Sequence, residues 1–310
     1  MNPPVPKTLQ DFQKQFSTEL ACERYLARWR WPQGFVCPKC DSKGAWRIHR
    51  RRLYQCKTCR HQASVTAGTA MHRSKLSLKI WFWAIFLVGR HKKGISALQL
   101  QSDLGIGSYR TAWLLLHKIR ACFDESGDYP LKGEVEVDET LVGAHMKGDA
   151  PGKDPGHKAI VVGAVEVRSG GMGDLRLQQV GDYKGVTLGG FVRTRVEAGS
   201  HLVTDGWRAY QHLEEQGYER TQVVSSDQPK GAQHKLGMKA IHTVFGNLKT
   251  WLVGRYHGVS HKYLQAYLAE FTYRFNRRRD PPHLFGWVVR RLMARPAATL
   301  AGLKAVEASA

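Results

Sequence analysis

The 310-residue chain contains no apolar run near the roughly 18 residues that a membrane span needs, so no transmembrane helix is expected. Its opening stretch, "MNPPVPKTLQDFQKQF", lacks the apolar centre of a secretory signal, and a cytosolic protein is the expectation. Acidic residues are scarce beside basic ones, 26 against 47, for a net charge of +21. That imbalance points to a polyanionic partner, whose phosphates lysine and arginine neutralise with release of counterions. There are only six cysteines, and in a chain expected to be cytosolic they argue against a disulfide framework. No internal repeat is present, and the one compositionally biased segment is an Ala-rich tail after residue 295.

The charge that is present is unevenly distributed. Residues 1–126 hold 22 basic and 7 acidic side chains, a balance of +15, which leaves +6 for everything after them. Binding in the first part and chemistry in the second is the organisation this suggests. At ~100 to 200 residues per domain, the length also accommodates about two domains.

The periodicity changes along the chain in the same way. "TLQDFQKQFSTELACERYLARWR" has helical spacing, with Ser17 or Thr18 as a cap before Glu19, and 1–33 is read as a helical segment. Pro and Gly in "WPQGFVCPKC" break that pattern and open a cysteine module over 34–66. Residues 67–126 return to helices, including the apolar "SLKIWFWAIFLVG". From 130 to 285 the order is strands and helices: "EVEVDETLVG", "HKAIVVGAVEV" and "DLRLQQVGDY", then helical "VTLGGFVRTRV", then "SHLVTDGW" and a following helix. Two helices, near 238–253 and 260–278, close this part, and 286–310 is left as a tail. The Gly-, Lys- and Pro-rich "HMKGDAPGKDPGHK" reads as an exposed connection between the first two strands that touches nucleic acid.

Cys37 and Cys40 in "CPKC" are followed after 15 residues by Cys56 and Cys59 in "CKTC". Two such knuckles present four thiolates to one tetrahedral ion, so a structural zinc ribbon is expected rather than disulfides. Cys22 and Cys122 have no such partners and read as ordinary thiols. Around the ribbon, "RIHRRRLYQ" and "CRHQ" are basic and aromatic, as suits a nucleic-acid-facing surface. Further on, "SALQLQSDL", "GIGS" and "YRTAWLLLHKIR" have the form of a helix-turn-helix, whose second helix offers Arg110, His117, Lys118 and Arg120 to DNA.

In "VEVDETLVG", Val135 and Val137 alternate with Glu136 and Asp138, and Glu139 stands beside them. Strand alternation turns Glu136 and Asp138 to one face, which is either wet or holds a cation. Asp205 ends another apolar strand in "HLVTDGWRAY", where it is read either as a helix N-cap or as the partner of Asp138 in holding divalent metal. In the closing helices, His242 and Lys249 are seven apart and share one face, and Glu270, Arg274 and Arg277 stand at i, i+4 and i+7.

With these motifs in place the chain resembles the DDE-type insertion-sequence transposases of the subgroup with an N-terminal zinc ribbon. The resemblance runs from residue 8 to 290 and rests on "WPQGFVCPKC", "SALQLQSDLGIGSYRTAWLLLHKIR", "VEVDETLVG", "VTDGWRAY", "HTVFGNLKTWLVGRYHGVS" and "YLAEFTYRFNRR". It implies a multidomain α+β protein, with the zinc ribbon and helix-turn-helix followed by a ribonuclease-H-like α/β catalytic domain. The catalytic sheet is then mixed and five-stranded, and its first and fourth strands bring Asp138 and Asp205 together as the first two ligands of magnesium or manganese. The wider class takes its third ligand from a glutamate, which the expected helix here lacks. In this subgroup Asn or His stands there with a lysine seven residues on, which selects His242 with Lys249, and Asn247 is the alternative. Glu136 takes a supporting role, as does a Glu270, Arg274 and Arg277 set with its arginines near DNA phosphate. The implied activity is binding of the element's terminal inverted repeats, metal-dependent strand cleavage and strand transfer to target DNA. A homodimer or larger assembly, located in the cytoplasm with the nucleoid, follows from that activity. A DNA-binding relic or regulator and a structure-selective nuclease are the alternatives.

Overall fold

The computed structural model describes residues 3–91, 93–124, 129–143, 158–223, 237–279 and 284–296. The chain divides into two compact units, one of Met1–Cys122 with Arg279–Lys304 and the other built from Phe123–Arg278.

In the first unit, α1 (Leu9–Gln15) begins at Thr8, whose hydroxyl accepts from Asp11 N–H while Asp11 accepts from Thr8 N–H. This reciprocal cap satisfies two N–H groups that a helix end otherwise leaves orphaned. α2 (Glu19–Arg30) is capped by Thr18, one of the two residues expected from sequence. The ribbon follows as a three-stranded antiparallel sheet of β1 (Ala45–Ile48), β2 (Leu53–Cys56) and β3 (Gln62–Ala63). Arg47 of β1 pairs at 2.9 Å with Glu23, a carboxylate 1% exposed, and this buried pair ties the ribbon to α2. α3 (Leu78–Arg90) receives its N-terminal cap in part from α2: Glu19 accepts from Leu78 and Lys79 N–H at 3.1 and 2.8 Å. A carboxylate there meets both the free N–H groups and the positive end of the helix dipole.

α4 (Ala97–Leu104) and α5 (Tyr109–Arg120) form the expected helical hairpin, capped by Ser96 and turned at Gly105, whose φ of 59° is left-handed. Where the sequence reading begins a tail at 286, Leu284–Ala294 instead forms a helix, which belongs to this first unit. Its Phe285 completes an aromatic core with Phe12, Phe16, Tyr25, Phe82 and Phe86. The residues of "LFGWVVRRLMA" are apolar enough to need burial, but nothing local indicates which surface supplies it.

The second unit is built on β4 (Glu134–Val142), β5 (Ala159–Arg168), β6 (Gly171–Val180), β7 (His201–Asp205) and β8 (Glu219–Val223). The sheet order is β6-β5-β4-β7-β8, with β4, β5 and β6 antiparallel and with β7 and β8 joined in parallel to β4. The first and fourth strands are therefore neighbours, as expected. On one face, Val135, Val137, Val162, Ala164 and Leu202 pack against the helix Gly185–Arg195, α6, and a 3₁₀ helix at Arg208–Gln216. On the other, Val161, Val165, Leu175, Leu177 and Val203 pack against α7 (Lys239–Tyr256) and α8 (His261–Asn276). The Leu284–Ala294 helix is α9. The connection expected to touch nucleic acid lies at 145–158 and falls, but for Lys158, outside the described residues.

One glycine sets how closely α7 approaches the sheet. Gly163 lies opposite Asp138 in the β4–β5 ladder, and a Cβ there would meet Leu177, Phe245 and Ile241 at 2.9 to 3.0 Å. Its lack of a side chain is what lets the first turns of α7 sit against the strand that carries Asp138.

Candidate functional site

The parallel register pairs Glu136 with Val203, which carries Asp138 to the level of Asp205 two residues further on. Oxygens of Asp138, Glu139 and Asp205 all lie within 4.8 Å of one another. Asp205 ends β7 and accepts from Trp207 N–H at 3.0 Å, an Asx turn, and the cap position of the next helix is Trp207 itself. The helix-cap alternative for Asp205 therefore gives way to a place in the acidic cluster.

His242, on the first turn of α7, brings Nε2 to 3.0 Å from Asp138 Oδ2. Asn247 is exposed, and Lys249 lies two turns beyond His242 on the same helix. Although Lys249 reaches solvent, desolvation and then the charge of Lys158 hold its ammonium below the usual lysine range, with Asp138 opposing the shift. Glu136 has a different task from Asp138. It is 6% exposed and accepts from Ile241 N–H at 2.8 Å, so a strand carboxylate caps a helix whose own N-cap, Met238, has no side-chain acceptor. Burial raises its pKa, and the N–H groups of Ile241 and Ala240 work against that rise. The cap fixes α7 one residue away from His242.

Sequence reasoning did not place two members of this arrangement. Glu139 belongs by alternation to the opposite face of β4, yet it joins Asp138 and Asp205, and its Oε2 accepts from the Tyr210 hydroxyl at 2.8 Å. Tyr210 is fully buried, and its pKa is raised by desolvation and then by Glu139, so the phenol stays a donor. The consecutive acids of "VDET" and the tyrosine of "DGWRAY" were the signals that could have found them. Three hard carboxylates fit magnesium or manganese.

The supporting set on α8 is more enclosed than expected. Arg274 donates to Glu270 at 2.7 and 2.9 Å, and their side chains are 13% and 2% exposed. The guanidinium of Arg274 thus pairs with a buried carboxylate, and Arg277 lies 4.0 Å over the Tyr273 ring. Asn276 bonds both the N–H and the carbonyl of Leu175, fixing the end of α8 to β6.

In the first unit the four ribbon cysteines converge. Zinc–sulfur bonds of about 2.3 Å in a tetrahedron separate the sulfurs by about 3.8 Å. Cys37–Cys59 and Cys40–Cys56 stand at 3.5 and 3.7 Å. Backbone N–H groups of Lys39 and Thr58 point at the sulfurs of Cys37 and Cys56, an arrangement that favours thiolate. The donor set therefore fits structural zinc. The ribbon's surface is strongly basic: Lys39, Lys43, Arg50, Arg51, Lys57 and Arg60 are exposed, and the Arg60 guanidinium lies 4.5 Å over the exposed ring of Trp46.

Of the four residues expected to meet DNA from α5, Arg110 is exposed and Lys118 half-buried. His117 and Arg120 are each 2% exposed, and His117 stacks on Trp113 at 3.9 Å. Both are corrected to interior positions, because α5 is covered on more than the single apolar side that its sequence displays.

A sheet ordered third, second, first, fourth, fifth, with aspartates on its first and fourth strands, is the arrangement of a ribonuclease-H-like core, and a four-cysteine ribbon precedes it. Residues 130–276 match the ISXO2-like transposase domain, and residues 17–62 match the transposase zinc-ribbon domain. The chain belongs to this family of insertion-sequence transposases. A protein of Halobacterium salinarum, described as an uncharacterised protein in transposable element ISH50, is 26% identical over 283 residues, which cover 84% of this chain and 92% of the relative. Among the described residues no helix is long and apolar enough to cross a membrane.

Proposed function

We propose that the chain binds the terminal inverted repeats of its own element, cleaves at their ends and joins the 3′ hydroxyls to target DNA. The observation that carries this reading is the juxtaposition of Asp138 and Asp205, with His242 Nε2 3.0 Å from Asp138. In this reading Asp138 and Asp205 hold magnesium or manganese through their carboxylates, and His242 adds an imidazole nitrogen. Bound there, two such ions supply activation of the attacking oxygen and stabilisation of the leaving oxygen. The chain's own residues position the reactants: Glu136 caps α7 so that His242 faces Asp138, and Lys249 stands ready for a phosphate. The basic ribbon surface and Arg110 support backbone contacts to duplex DNA, which position the protein without reading sequence. Holding two element ends requires at least a homodimer, in the cytoplasm with the nucleoid.

The test is incubation of the full-length, zinc-loaded protein with end DNA and Mg²⁺ or Mn²⁺. Asp138→Asn and Asp205→Asn are expected to abolish cleavage and joining and to leave end binding intact. His242→Ala should reduce activity more than Asn247→Ala does; the reverse result would transfer the third-ligand role to Asn247. Wild-type protein that binds ends without cutting them would be a regulator, and one that cuts without joining would be a nuclease.

A further inference from the structure

His242 offers nitrogen where an ion of the magnesium type prefers oxygen, and α7 brings no glutamate to the site. The fold supplies a carboxylate from another direction. Glu139 follows Asp138, so pleating turns it towards α6 and the 3₁₀ helix while Asp138 turns towards α7. An unbroken sheet would keep two such side chains apart. Here the β4–β7 ladder stops at Glu136 and Val203, and β7 itself ends at Asp205. Beyond that point no strand among the described residues pairs with this edge of β4, and side chains from both faces reach the same gap. This is why Glu139 shares a 4.8 Å neighbourhood with Asp138 and Asp205.

Tyr210 holds it there. The tyrosine is fully buried in the core on the α6 face, and it donates to Glu139 Oε2 at 2.8 Å. It lies five residues after Asp205, across a turn closed by the Asp205 carboxylate and Trp207 N–H. One short segment therefore carries the second aspartate and also the residue that orients the glutamate.

We propose that Glu139 is a third carboxylate ligand of the divalent ion and that Tyr210 is its positioning residue. The inference rests on the reading that Asp138 and Asp205 hold such an ion. The opposing account makes Glu139 no more than an acceptor for a buried phenol, and a binding measurement separates the two.

Mn²⁺ is titrated into the zinc-loaded full chain, free Mn²⁺ is read by electron paramagnetic resonance, and melting is recorded for each variant. Tyr210→Phe should weaken Mn²⁺ binding by about tenfold, the low end of the range for losing a ligand's orienting partner, and Glu139→Gln, which removes the ligand's charge, should weaken it further. Their melting temperatures should stay near that of the wild type. Glu139→Asp, which keeps the charge and shortens the reach, provides a second variant should the glutamine variant not fold, and it too should bind weakly. Wild-type Mn²⁺ affinity in the Glu139 variants, beside weakened Asp138→Asn and Asp205→Asn, overturns the Glu139 assignment and leaves the two-aspartate site standing. Unchanged affinity in all of them overturns both. Wild-type binding by Tyr210→Phe overturns the positioning role alone.

Discussion

The thiolate cluster of the ribbon and the carboxylate cluster of the sheet are built by opposite means. Cys37, Cys40, Cys56 and Cys59 lie within 23 residues of one another and meet because two short knuckles are joined by a hairpin. Asp138, Asp205 and His242 span 105 residues and meet only after five strands have paired and a helix has docked across them. The first cluster forms from residues close in sequence, as in modules whose metal contributes to folding, whereas the second needs the fold before it has anything to offer an ion. A closed shell of four sulfurs suits a structural ion, whereas an open-edged group of carboxylates suits reacting phosphates.

The sharpest way to break this contrast is to remove the ribbon's ion. Chelation or Cys56→Ser should unfold the ribbon, since structural zinc contributes about 10 to 16 kcal/mol in such modules. Hydrogen exchange should show reduced protection over 45–63 while β4, β5 and β6 stay protected. An unaltered ribbon without zinc would end the structural assignment.

A smaller effect is expected at the pair joining the ribbon to α2. Arg47→Ala leaves Glu23 buried without its cation, which should cost about 3 kcal/mol in urea unfolding. Because that carboxylate is 1% exposed, solvent does little to offset the loss.

In the second unit the matching intervention is at the helix–sheet packing. Gly163→Ala places a methyl group 2.9 Å from Leu177 and Phe245, and overpacking of this kind should destabilise by about 1 to 3 kcal/mol. The same displacement should separate His242 from Asp138, so joining activity should fall further than stability alone accounts for. Equal losses in both would reduce Gly163 to a packing residue.

The smallest expected changes are in the basic surface. Replacing Arg50, Arg51 or Arg60 by alanine should leave melting unchanged. Each should make the salt dependence of DNA binding shallower, by about 0.9 in the log–log slope for every phosphate that is no longer neutralised. Unchanged slopes in all three would move the DNA-binding surface away from the ribbon.

Much of the molecule was legible in the chain. The Thr18 cap, the two closing helices, the cysteine spacing and the alternation of valines with acids in β4 each rest on interactions a few residues apart. Asp138 and Asp205 were also recognisable, as acids set into apolar strands, once the resemblance made those strands neighbours. The burial of His117 and Arg120 was not legible, because a helix's own polarity does not reveal how many partners surround it. Nor was α9, whose apolar residues show a need for burial without naming the aromatic core that meets it.

The sequence by itself determined the ribbon, the types of the elements up to α8 and the excess of basic charge, because spacing, periodicity and composition act over a few residues or none. Only the tertiary structure decided that Glu136 caps α7 while its neighbour Asp138 faces His242, and that Glu139 reaches the same gap from the other face of the strand. All three are acids in one nine-residue strand, alike in chemistry. Their different tasks come from where β7 ends and how closely Gly163 lets a helix approach, which are properties of chain segments brought together from afar.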